Sequence, residues 1–188
     1  YVLIEGSASE FSGSVQITVK RIGRVGEEAV NPEDFIATGP FTREELDRQL
    51  GDWIAQVEEK DCRRLLDLMF GHERLREKFL AAPAALRIHQ AYIGGLAEHT
   101  FNVLNNAIRL GEGYKPYNRD LLITATLLHD IGKIREFEWR RTIAYSDEGK
   151  LLGHIAIGSM MVENAIHQLK REPEGFSESW RQHILHLI

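Results

Sequence analysis

The run Asp120-Leu121-Leu122-Ile123-Thr124-Ala125-Thr126-Leu127-Leu128-His129-Asp130-Ile131-Gly132-Lys133 is apolar at nearly every position until it meets a histidine and an aspartate side by side. A helix apolar on most of its faces is a buried one, so the rest of the chain must supply elements to surround it. Burying an ionised aspartate without a partner is prohibitive. Asp130 therefore needs hydrogen bonds, an opposite charge or a cation, and a divalent ion would satisfy it and His129 together. For an isolated His-Asp pair the plainer reading is a hydrogen-bonded pair at a helix end, so the surroundings must decide.

Those surroundings change character once along the chain. Val2 and Ile4 alternate with polar neighbours, Ser12-Gly13 has turn chemistry, and Val15, Ile17 and Val19 alternate with Gln16, Thr18 and Lys20, which predicts a β-hairpin over residues 1–25. A lone two-stranded hairpin is marginal in water, so it reads as the tail of a small β-barrel whose other strands precede Tyr1. From Gly26 to Pro40 the composition turns to Gly, Glu, Asn, Pro and Asp, which reads as a connector over 26–41. A helical domain over 42–188 is expected to follow. It opens with Thr42 and Glu45 in capping-box spacing and with Leu46, Leu50, Trp53 or Ile54, and Val57 on one stripe, predicting a helix over 42–59. Further helices are predicted at 61–70 (closed by Gly71), 72–81, 97–110, 118–131 (capped by Asn118), 154–171 and 177–188, with 135–149 a loop or short hairpin. The fold class is mainly α, preceded by a partial β segment.

Charge and composition narrow the function. With 28 acidic against 23 basic residues and a net charge of -5, no global positive field exists to hold a polyanion, and any attraction for nucleic acid must be local. One cysteine, Cys62, allows neither an intrachain disulfide nor a cysteine-built zinc site, and a cytoplasmic location is expected. No apolar run approaches the roughly 20 residues that span a bilayer, and no signal-peptide pattern opens the chain. It starts at Tyr1 rather than Met, and Ile188 interrupts an apolar helical pattern, so both ends read as cut.

His99 lies in Gly94-Gly95-Leu96-Ala97-Glu98-His99-Thr100, with Leu96, Val103 and Leu104 at helical spacing around it. Two antiparallel neighbouring helices would bring it against His129. Two imidazoles and a carboxylate suit borderline divalent ions and leave coordination positions open, which is a catalytic feature. An ion so held polarises a phosphoryl oxygen and activates water, so phosphoester hydrolysis is the expected chemistry.

Three runs, His89-Gln90-Ala91-Tyr92-Ile93-Gly94-Gly95-Leu96-Ala97-Glu98-His99-Thr100, Leu128-His129-Asp130-Ile131-Gly132-Lys133 and Leu151-Leu152-Gly153-His154-Ile155-Ala156, resemble in order and spacing the HD-domain signature. The chain is similar to the bacterial 3′→5′ exoribonucleases of the YhaM type, which join an OB-fold to an HD domain. The resemblance makes residues 1–25 the end of an OB-fold-like domain and implies His99, His129 and Asp130 as metal ligands, with His154 contributing to a second metal. A further His pair and a late aspartate would follow Ile188. Asp130 and Lys133 are implied as catalytic, Lys133 steadying the phosphate, although a lysine there also answers a helix dipole. His89 and Tyr92 match the substrate side of the pattern, while Gln90 stands where a histidine is common. Phe11, Gln16, Lys20, Arg21 and Arg24 would offer one stacking ring and some phosphate contacts, but Glu5 and Glu10 sit beside them and a solvated sheet face explains the same residues. His186 is at best a neighbour of the site, and His72 and His167 read as surface residues.

The resemblance implies a divalent-metal-dependent 3′→5′ exoribonuclease on single-stranded RNA. The metal is manganese first, with cobalt, iron, zinc and magnesium compatible. Two alternatives stay open: an HD phosphohydrolase acting on a small nucleotide, and a non-catalytic RNA-binding scaffold with a degenerate core. A homo-oligomer is compatible with any of these, and no membrane association is expected.

Overall fold

The alternating pattern of the first two dozen residues folds as β1 (Val2–Phe11) and β2 (Ser14–Arg24), an antiparallel pair. They are joined at Ser12 and Gly13, both with positive φ (52° and 77°), the two-residue turn whose twist suits a hairpin. The register slips between Glu5 and Gly6, which pair with Arg21 and Val19 and leave Lys20 as the extra residue of a bulge. Every residue of both strands is exposed, Val15 and Leu3 included. The computed structural model describes residues 1–31, 34–114 and 116–188; residues 32 and 33 of the expected connector lie outside them. The chain divides into two compact units, Tyr1–Phe35 and Ile36–Ile188. In the first, the rings of Tyr1 and Phe35 pack 4.5 Å apart.

The second unit is mainly α. Its helices are α1 (Arg43–Ala55), α2 (Lys60–Phe70), α3 (Glu73–Ala81), α4 (Gly95–Gly111), α5 (Arg119–Leu128), the short α6 (Lys133–Glu136), α7 (Asp147–Leu169) and α8 (Glu178–Leu187). Between α6 and α7 a small hairpin pairs β3 (Phe137–Glu138) with β4 (Ala144–Tyr145), within the stretch expected to be a loop or hairpin. Ahead of α1, Ile36 is buried and Thr38 bridges to Ile93.

Both halves of the predicted capping box form at α1: the Glu45 amide donates to the Thr42 hydroxyl and the Thr42 amide to the Glu45 carboxylate. The helix stops at Ala55, short of the predicted 59, because the amides of Glu58 and Glu59 donate instead to Asp120 at 3.0 and 2.6 Å. That bond ties the α1–α2 corner to the first turn of α5. Asn118 caps α5 through the Leu121 amide, and α5 then runs through the core, with Ile123, Leu127 and Leu128 fully buried. The same core holds Leu50 of α1, Leu65 and Phe70 of α2, Phe79 of α3, Leu96 and Leu104 of α4, Val162 and Ile166 of α7 and Ile184 of α8.

The largest departure from expectation is α7. Predicted to start at 154, it starts at Asp147, where Ser146 caps the Gly149 amide and Asp147 and Glu148 face the positive end of the helix dipole. Gly153 (φ 71°, ψ 160°) then breaks the helical geometry, so the predicted start is the restart after this kink. Among the described residues no helix is long and apolar enough to cross a membrane.

Candidate metal centre

His129 is the C-cap of α5, where the last carbonyls of a helix lack intrahelical partners. Its Nδ1 lies 2.7 Å from the carbonyl oxygen of Thr126. A carbonyl only accepts, so Nδ1 carries the proton and Nε2 is left to turn elsewhere. It turns to Asp130, 3.3 Å from Oδ2. His99, one turn into α4, brings its own Nε2 to 3.5 Å from the same oxygen, with the two imidazole rings 5.7 Å apart. The ligand atoms of His99, His129 and Asp130 all lie within 4.8 Å of one another, in a form that could hold a metal ion.

Asp130 is only 7 % exposed, and burial alone would raise its pKa. The hydrogen bonds from His129 and Lys133 outweigh burial and hold the carboxyl well below the usual carboxylate range, so it is ionised near neutral pH. Lys133, at the start of α6, places Nζ 2.7 Å from Oδ2. His99 is lowered, chiefly by burial and further by Lys133, His129 and His89, against the pull of Asp130. Its ring is neutral at pH 7, which is the ligating form. For His129, burial works downward but the Asp130 hydrogen bond and charge win, and its pKa is raised. A proton and a cation therefore compete for its Nε2. The donor set fits a divalent ion: a neutral imidazole, a second imidazole with its Nδ1–H anchored, and an ionised carboxylate sealed from bulk water.

The other oxygen of Asp130 faces His154, whose Nε2 is 3.5 Å from Oδ1. The structure thus gathers His99, His129, Asp130, Lys133 and His154. His89 stands on the exposed loop before α4 with its ring 6.0 Å from that of His99. Tyr92 donates its hydroxyl proton to Glu98 at 2.8 Å, and burial together with Glu98 pushes the phenol up to about 12. Lys20 and Arg21 lie on exposed β2, in the other compact unit. His186 sits in the last turn of α8, His167 bonds Glu163 and His72 is the N-cap of α3.

One residue of the site escaped the sequence reading. Glu136, 5 % exposed, accepts from the backbone N–H of His154 at 3.0 Å and lies 2.9 Å from its Nδ1. Its only signal in the sequence is an acid set between the apolar Ile134 and Phe137. Glycine fixes the approach of the two segments. A Cβ at Gly132 would overlap the carbonyl oxygen of His154 and sit 2.7 Å from the Gly158 amide, so only glycine lets the turn after Asp130 touch the α7 backbone.

Comparison with known proteins agrees in position. The HD domain profile matches residues 96–188. The chain is 30% identical over 174 residues to the "3'-5' exoribonuclease YhaM" of Bacillus subtilis (strain 168), covering 92% of this chain and 55% of that protein. It is 33% identical over 157 residues to the YhaM exoribonuclease of Geobacillus sp. (strain WCH70), covering 83% and 48%, and 34% identical over 164 residues to that of Oceanobacillus iheyensis, covering 86% and 50%. The chain spans about half the length of the curated relatives it matches. No solved structure matches it.

Proposed function

We propose that the protein, whose residues 96–188 match the HD domain profile, is a divalent-metal-dependent phosphodiester hydrolase acting 3′→5′ on single-stranded RNA. The observation that carries this reading is the convergence of His99 and His129 on one oxygen of a buried, ionised Asp130. The likeness to relatives named as 3′-5′ exoribonucleases supplies the substrate.

In this reading His99, His129 and Asp130 hold the ion, manganese by preference. A divalent ion there supplies Lewis-acid polarisation of a phosphoryl oxygen and an activated water. The chain's own residues do the rest. The Thr126 carbonyl fixes the His129 tautomer. Asp130 keeps its charge because His129 and Lys133 stabilise it. Lys133 commits one of its three N–H donors to Asp130 and offers the others to the non-bridging oxygens of the scissile phosphate. His89, exposed beside His99, meets the terminal nucleotide, with Tyr92 holding the loop through Glu98. Residues 1–25, as the end of an OB-fold-like domain, guide the strand, with Lys20 and Arg21 on phosphates.

The test is hydrolysis of a short 5′-labelled RNA with added manganese. Stepwise release of single nucleotides, abolished by His129→Ala, is the expected result. An intact RNA together with release of phosphate from nucleoside phosphates would move the assignment to a small-nucleotide hydrolase. No bound metal and no activity on either would leave a scaffold.

A further inference from the structure

We propose that Glu136 is a positioning residue: it holds the ring of His154 with Nδ1 towards its own carboxylate and Nε2 towards the far oxygen of Asp130, the heading in which His154 can serve as a cation ligand. The inference rests on the reading of the His99–His129–Asp130 cluster as a metal centre.

Glu136 is buried in the short α6, and its carboxylate is hydrogen-bonded to His154 twice, at the backbone N–H and at the ring Nδ1. A buried carboxylate is costly unless it is hydrogen-bonded and neutralised, and it can only accept. The ring nitrogen facing it therefore carries the proton. With Nδ1–H committed to Glu136, Nε2 is the nitrogen left to face Asp130 Oδ1, at 3.5 Å. A divalent cation taking the place of any proton between Nε2 and Oδ1 would be held by both. The first position uses Oδ2, against His99 and His129, so Asp130 lies between the two. A carboxylate behind the ring also makes the imidazole a better ligand.

The backbone has been shaped for this contact. The Gly153 kink takes His154 out of the helical ladder, which leaves its amide free for Glu136. A Cβ at Gly149 would overlap the Glu136 carbonyl oxygen and lie 2.8 Å from its Cα. The Ser146 amide donates to that same carbonyl at 2.9 Å. With Gly132 against the His154 carbonyl, α6 is clasped to α7 at both ends. If Glu136 served only to cap the helix after the kink, the amide bond would suffice and the ring would be free to take either tautomer.

Two variants separate these roles: Glu136→Gln keeps an acceptor, while Glu136→Met keeps the shape and removes it. The first readout needs no metal. Two-bond proton–nitrogen spectra of the histidine rings at pH 8 report which nitrogen of His154 is protonated. Nδ1 is expected in the wild type and in Glu136→Gln, with Nε2 taking over in Glu136→Met. The second readout is calorimetric titration with zinc alone. The wild type is expected to take two ions, and Glu136→Met, like His154→Ala, to bind the second on the order of 10–100-fold more weakly, with Glu136→Gln close to wild type.

An unprotonated Nδ1 in the wild type overturns the proposal even if Glu136→Met fails to fold. So does uptake of a single ion by the wild type, or wild-type zinc binding by a folded Glu136→Met. A wild type that binds no zinc at all removes the metal reading itself, and the tautomer spectra then still decide whether Glu136 positions the ring.

Discussion

Asp130 is ionised although nearly sealed from water, and the ammonium of Lys133, itself only 12% exposed, is its counter-charge. Removing one member of such a pair strands the other. Asp130→Asn is expected to abolish metal binding and to destabilise the protein by about 3 kcal/mol, read by urea denaturation. Asp130→Asn with Lys133→Met should recover most of the stability and none of the metal binding. Recovery of both would mean that the charge serves only the fold. Cys62 offers a second check. Burial pushes its thiol up to about 12, with Glu59 and Asp120 adding to the rise. The thiol is therefore protonated and inert at pH 8, and it should react with a disulfide reagent only after unfolding. Prompt labelling of the native protein would contradict the burial.

At the level of elements, the turn after Asp130 depends on the absence of a side chain. Gly132→Ala would drive a methyl into the backbone of His154 and Gly158. Backbone yields far less readily than a side-chain end, so a loss of about 3 kcal/mol and weakened metal binding are expected. Gly23→Ala, with nothing within 4 Å of the added atom, is the control that should leave the melting temperature unchanged. What was legible in the sequence at this level was what a few adjacent residues decide: the Thr42–Glu45 capping box, the Asn118 cap and the Ser12-Gly13 turn all form. The end of α1 was not legible, because Asp120, some sixty residues away, takes the amides that would have continued it. The first turns of α7 were marked by Ser146, Asp147 and Glu148, but the apolar stripe that fixes a helix in the core begins only after the kink. The meeting of His99 with His129 and Asp130 could be read because His99 stands on one apolar helix and the other two directly follow another, and each helix has one way to face the core. Glu136 could not, since its burial exists only once α7 has packed over it.

Across the helical unit, polar ties hold the last helix to the rest. Arg181 of α8 grips Glu163 of α7 at 2.9 and 2.8 Å, Lys170 reaches Glu178, and the Ser177 amide donates to Asp61 of α2. The hydrogen bonds of Arg181 and Lys170 hold the carboxyls of Glu163 and Glu178 below the usual range. A carboxyl whose folded pKa is depressed stabilises fully above its unfolded value of about 4.3 and loses that contribution as the pH falls through the folded one. The melting temperature should therefore decline as the pH drops below about 4.3, and Glu163→Gln should flatten part of that decline. An unchanged acid profile would show that solvent screens these pairs to insignificance. Such long-range pairing was invisible in a chain known only by its net charge of -5. The kink at Gly153 has one more consequence. The amide hydrogen of His154 is held by a side chain rather than by the helix, so its rate of exchange with deuterium follows the opening of the Glu136–His154 contact while its helical neighbours report the unfolding of α7. The molecule thus carries its own clock for how often that contact opens.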